Sequence, residues 1–97
     1  MQKKLYIGTN TKMYKTIRQT AAFLDRLGSL TRDIDRSLVE LFVMPSYTAL
    51  DASAGTAHAW NITLGAQNMN WEDEGQFTGE VSPLMLKETG VGVVCIG

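Results

Sequence analysis

Ninety-seven residues, 44% of them hydrophobic and 20% charged, make one globular unit or part of a larger one, with too much apolar content for a disordered chain. A unit of this size buries roughly 65% of the surface its unfolded chain exposes, so its core is modest. The formal net charge of −1 offers no electrostatic footprint for nucleic acid or an anionic membrane, and a single cysteine excludes an internal disulfide.

At the amino end Met1-Gln2-Lys3-Lys4 is basic, but the apolar run behind it breaks at Gly8, too soon for a signal peptide. No run reaches the roughly 18 apolar residues of a membrane helix. A soluble, cytoplasmic protein is the expectation.

Leu5 to Gly8 reads as a first strand. Thr16-Ile17-Arg18-Gln19 then fits a capping box, in which the Thr16 hydroxyl and the Gln19 amide satisfy orphan backbone groups at a helix start. Ile17, Ala21, Leu24 and Leu27, with Leu30 at its end, form one stripe, which predicts a helix over 16–30. Leu38 to Met44 is the second strand. Pro45-Ser46 starts a shorter helix through Ala54, with Gly55 as the residue that ends it. Ile62 to Ala66 is the third strand. Ser82-Pro83 pairs a cap with proline at the first helical position, and Gly90 closes that helix before a fourth strand over Val91 to Ile96. The four apolar runs are nearly continuous rather than alternating, which suits strands covered on both faces. Strand and helix in alternation predict a parallel sheet and an α/β fold.

The connection Gln67 to Gly79 takes 13 residues where two to six are usual. It carries Trp71 and Phe77 among Glu72, Asp73 and Glu74, which suits aromatic anchors on a partner with a wet acidic rim; a solvated flap is the alternative. One cysteine and one histidine make no zinc cluster, and no glycine-rich phosphate loop occurs. His58 reads as an idle residue of a surface connection, and Cys95 as a small buried hydrophobe within a strand. What remains is polar residues at strand ends: Asn10 and Lys12 after the first, Gln67 and Asn68 after the third. Ligands of parallel α/β folds bind at such carboxyl ends. In an extended chain Asn10 and Lys12 share a face, and a lysine there can neutralise an anion. On spacing alone, a solvated lysine beside a turn-forming asparagine is the simpler reading.

A resemblance adds to this. Asn10-Thr11-Lys12-Met13 resembles the Asn-Trp-Lys-Met segment of triosephosphate isomerases. Gly65-Ala66-Gln67-Asn68, Trp71-Glu72-Asp73, Phe77 to Pro83 and Met85-Leu86-Lys87 resemble that family's third loop almost residue for residue, and Gly90 to Gly97 resembles its fourth strand. The resemblance implies the amino-terminal half of a (β/α)8 barrel over 1–97, from an enzyme that interconverts an aldose phosphate and a ketose phosphate without a cofactor. It implies that Lys12 holds the substrate phosphate and supports enediolate charge, with Asn10 beside it. It implies a homodimer through loop 67–79, with Thr78 reaching into the partner's site and Glu80, Gln67 and Met13 supporting that contact.

Thr11 and Tyr14 depart from the family pattern, which has tryptophan and a small polar residue there. By alternation Thr11 points away from Asn10 and Lys12. A four-carbon ketose phosphate is therefore an alternative substrate, and a non-catalytic half-barrel association module an alternative role. In the family a segment like Val94-Cys95-Ile96-Gly97 precedes the catalytic histidine, and a glutamate base follows much later. Without either, the 97-residue chain by itself is expected to be inactive.

Overall fold

The computed structural model describes residues 3–97. Strand β1 (Leu5–Asn10) leads through helix α1 (Ile17–Leu30) to β2 (Val39–Met44). Helix α2 (Tyr47–Ala59), β3 (Ile62–Ala66), helix α3 (Pro83–Glu88) and a short β4 (Val93–Val94) follow. All neighbouring strands are parallel and lie in sequence order, β1-β2-β3-β4. Sequential order without reversal is the winding of a barrel rather than of a doubly wound sheet, whose order reverses at a switch point.

The register assigns the faces. Leu41 and Val43 of β2 and Ile62, Leu64 and Ala66 of β3 alternate onto the side that packs against the helices, where Leu24, Leu50, Ala57 and Leu86 complete the core. Phe42 and Met44 stand on the other, concave side. Glycines make room there: a Cβ on Gly65 would lie 2.7 Å from Val93 Cγ1 and 2.8 Å from Met44 Cγ. Asn10, paired with Met44, shares that concave face.

The helix starts follow the sequence closely. Thr16 accepts from the Gln19 N–H while Gln19 Oε1 accepts from the Thr16 N–H, the full capping box, and Ser46 and Ser82 cap α2 and α3. Gly90, at φ 87°, ends α3 as expected. Four expectations fail. Gly55 does not end α2, which runs on to Ala59; the left-handed residue is Asn61, at φ 54°, and His58 thus belongs to the last helical turn rather than to a connection. The buried line of α1 is Thr20, Leu24 and Gly28, while Ile17 and Leu30 at the ends of the expected stripe are exposed. The fourth strand is two residues long, and Cys95 lies beyond it, exposed. Finally, β1 is not covered on both faces. Leu5, Tyr6 and Ile7 are 65, 65 and 54% exposed, because β1 has a neighbour on one edge only.

That openness is measurable. The chain exposes 6953 Å², against about 5,500 Å² for a folded monomer of its mass. Its radius of gyration of 13.7 Å exceeds the roughly 12.5 Å of a closed domain of this length. The architecture is a half-barrel.

Candidate functional site

The carboxyl ends of β1, β2 and β3 meet at one place. Asn10 is the last residue of β1, and its Oδ1 accepts from the Lys12 N–H at 2.7 Å, an Asx turn that bends the chain as the strand ends. Lys12 takes the left-handed conformation, φ 56°, which costs a residue with a Cβ about 1 kcal/mol or more. The shared face expected from an extended chain therefore does not apply, since extension stops before Lys12. The two residues are brought together by the turn instead. Thr11 donates its N–H to the Met44 carbonyl at 3.1 Å and is buried, whereas Lys12 is exposed. The Tyr14 N–H closes the turn on the Thr11 carbonyl at 3.2 Å.

Gln67, the first residue after β3, reaches across to this turn. Its Nε2 donates to the Met44 carbonyl at 2.9 Å and the Lys12 carbonyl at 3.0 Å, with Thr11 Oγ1 at 3.5 Å. Among the described residues the one ion pair joins Lys4 to Glu40 at the start of β1 and β2, so no carboxylate neutralises the Lys12 ammonium. An exposed cation at a concave strand end is suited to an anion.

The third loop has its own frame. The Asn70 N–H donates to the Val81 carbonyl at 2.9 Å, its Oδ1 accepts from the Glu72 N–H at 2.8 Å, and its Nδ2 donates to Glu80 Oε1 at 3.1 Å. Asn70 thus ties both arms of the loop together. Sequence reasoning passed over it, although an asparagine four residues past a strand end was a visible signal. Thr78 lies exposed at the tip, in a turn closed by the Glu80 N–H on the Phe77 carbonyl at 3.0 Å, with Gly79 at φ 86°. Trp71 is 87% exposed and Met13 97%. No hydrogen bond among the described residues joins Thr78 or Glu80 to Asn10 or Lys12. The strand-end group therefore comprises Asn10, Lys12 and Gln67, and Thr78 and Glu80 stand apart on the loop. Met13 and Tyr14 border an open groove of about 330 Å³ with Lys15, Gln19, Ser46 and Thr48.

His58 lines clefts with Ile62 and Thr63, at the amino end of β3 and thus across the sheet from Gln67. Glu80 contributes elsewhere: together with burial, which is the larger cause, its charge pushes the Tyr47 phenol above its ordinary value. Among the described residues no group of histidine, cysteine or carboxylate side chains is placed to hold a metal ion, and no helix is long and apolar enough to cross a membrane.

Parallel, singly wound β/α units with polar residues gathered at the carboxyl ends define the first half of a (β/α)8 barrel of the enzyme type. Residues 5–97 match the family model of triosephosphate isomerase. The chain is 45% identical over 96 residues to triosephosphate isomerase of Trichodesmium erythraeum, covering 98% of this chain and 39% of that protein. It is 42% identical over 94 residues to L-erythrulose-1-phosphate isomerase of Rhizobium etli, covering 96% of this chain and 34% of that protein. Triosephosphate isomerase of Caldanaerobacter subterraneus is 43% identical over 91 residues, 94% of this chain and 36% of its own. The chain belongs to the triosephosphate isomerase family, and it spans a little over a third of the length of these curated relatives.

Proposed function

We propose that this chain is the amino-terminal part of a sugar-phosphate aldose–ketose isomerase, a partial barrel domain over 1–97, with the dihydroxyacetone phosphate to glyceraldehyde 3-phosphate interconversion as its reaction. The observation that carries the reading is Lys12, exposed and without a carboxylate partner, held beside Asn10 at the concave strand end. Moving a proton between adjacent carbons passes through an enediolate, so negative charge builds next to a phosphate. A lysine about 4 Å from such charge contributes on the order of 4 kcal/mol at an effective dielectric of 20. Lys12 and Asn10 bind and stabilise that charge, and no cofactor is required.

The proton-transferring base and acid come from outside this segment. Its histidine is across the sheet, and Glu80 is engaged by Asn70. The chain alone is therefore expected to show no turnover, and the exposed β1 edge argues against a stable isolated monomer. The partner is a second copy: the tip around Thr78 reaches into the other subunit, with Trp71 and Phe77 as packing and the groove beside Met13 as receiver.

A second reading, a tetrulose phosphate as substrate, is favoured by Thr11 and Tyr14 and by the erythrulose-phosphate relative. The test is turnover of glyceraldehyde 3-phosphate and of erythrulose phosphate by the product of the complete coding sequence. Triose preference, with a loss of about 10² or more on Lys12→Met, supports the first reading. Tetrulose preference replaces it, and no turnover of either refutes both.

A further inference from the structure

We propose that Asn70 is the positioning residue of the third loop: its side chain is the strut between the two arms, and it keeps the tip around Thr78 in its docking shape before a second copy arrives. This rests on the reading of loop 67–79 as the contact with a second copy, and it adds what readies the loop for that contact.

The loop has little else to hold it. Its 13 residues contain no helix or strand, and Trp71 and Phe77 are exposed. The two arms leave the body of the protein at Met69 and Val81, both packed against the core. Between them the tip is framed only locally. The Phe77 ring lies against Gly75, leaving no room for a Cβ there, and the Glu80 N–H closes a turn on the Phe77 carbonyl at 3.0 Å. Among the described residues, the hydrogen bonds that cross from one arm to the other are made by Asn70. Its N–H donates to the Val81 carbonyl at 2.9 Å and its Nδ2 to Glu80 Oε1 at 3.1 Å, while its Oδ1 accepts from the Glu72 N–H at 2.8 Å and turns the outgoing arm.

The chemistry selects the residue type. The side chain at 70 must accept from a backbone N–H and donate to a carboxylate at once; an amide does both, whereas a carboxylate only accepts. The orientation of the amide follows, since a reversed one would turn its oxygen on Glu80 and its NH₂ on the Glu72 N–H. The charged acceptor makes the Nδ2 bond stronger than a neutral one. Glu72 and Glu74 line the same small cavity as Glu80, so without a donor among these carboxylates the two arms repel each other. A loop ordered in advance spares association the entropy of ordering it. In this way a residue at the base of the loop sets the strength of a contact made at its tip.

The product of the complete coding sequence tests this with one severed pair and one reversed pair. Asn70→Asp keeps the acceptor for the Glu72 N–H, removes the donor and sets carboxylate against carboxylate. Adding Glu80→Gln reverses the pair: the carboxylate introduced at 70 accepts from the amide introduced at 80, and the net charge of the loop returns to its parent value. Amide hydrogen exchange at positions 70 and 80, measured at a dilution where the product is monomeric, should be about 10-fold faster in Asn70→Asp and return to within about 3-fold of the parent in the double variant. A single variant that exchanges at the parent rate, or a double variant as loose as the single one, overturns the strut, because a space-filling role is not restored by reversing a donor and an acceptor.

Sedimentation of the same variants reads the docking. The dissociation constant of the dimer should rise about 10-fold or more in Asn70→Asp. A loosened loop with an unchanged dissociation constant refutes the claim that Asn70 shapes the loop for a second copy. A parent that stays monomeric at every concentration fails the second-copy reading, and the exchange rates still decide what Asn70 does.

Discussion

The indole N–H of Trp60 donates to Asp25 Oδ1 at 3.0 Å, and the ring so held covers Gly28, where an added Cβ would overlap Trp60 Cγ. Helices α1 and α2 approach through this contact. Alanine at 28 would be favoured by helix propensity by up to about 1 kcal/mol. Forcing the ring aside costs about 1–3 kcal/mol and breaks the bond to Asp25. Packing wins: Gly28→Ala should destabilise the protein by about 1–2 kcal/mol in urea unfolding, and a stabilised variant would show that the ring can move freely.

Arg36 joins the same two helix ends by its charge. Nε donates to the Asn61 carbonyl at 3.1 Å, Nη1 to the carbonyls of Thr31 and Ile34 at 2.9 and 3.2 Å, and Nη2 to Thr31 Oγ1 and the Trp60 carbonyl at 3.1 and 3.2 Å. Every donor of the guanidinium is used, and carbonyls at the ends of α1 and α2 are satisfied by it. Arg36→Ala should cost about 2–3 kcal/mol. Arg36→Lys should recover less than half of that, since a compact ammonium cannot span acceptors on both chains. Equal stability of the lysine variant and the parent in chemical denaturation would contradict this account.

Local chemistry was legible and distant chemistry was not. Thr16 and Gln19 announce a capping box because both halves lie within four residues, and Ser82-Pro83 and Gly90 likewise declare their roles. Gly55 misled because a glycine signals a helix end only where its conformation is left-handed, and here it sits mid-helix with open space around it. Asn61 does that work with a side chain the pattern did not single out. The exposure of β1 was illegible because an apolar run states what it can bury, not which neighbours are present. At the site, the ends of β1 and β3 were marked by their polar residues. The hydrogen bonds from Gln67 to Lys12 and Met44 span 55 and 23 positions, and no local spacing encodes them.

Tyr47 gives a pH dependence whose sign is fixed. Burial, and secondarily the charge of Glu80, raise its phenol above the usual 10.0. A raised acid keeps its proton longer folded than unfolded, so the unfolded state is the first to release it. The associated stability is full below about pH 10 and is lost as pH rises through the folded value. Urea unfolding from pH 8 to 11 should show this decline in the parent and a flatter profile in Tyr47→Phe. Parallel profiles would mean that Tyr47 is not the titrating group.

The tip of the third loop allows a separable prediction. Thr78 is exposed in a turn framed by Phe77 and Glu80, and the loop base is held independently by Asn70 on Val81. A charged residue at the tip should therefore leave the loop and the fold intact while blocking its burial against a second copy. Burying an unpaired charge costs several kcal/mol, enough to shift a micromolar-range association by orders of magnitude. For the product of the complete coding sequence, Thr78→Arg should lower the molar mass measured by light scattering from dimer to monomer while the circular dichroism spectrum is retained. On the proposed reading, in which the partner's tip completes the neighbouring site, activity should fall with the dimer. A dimer that survives Thr78→Arg unchanged would place the subunit contact elsewhere on the barrel and leave the exposed Trp71 and Phe77 to be explained by another partner.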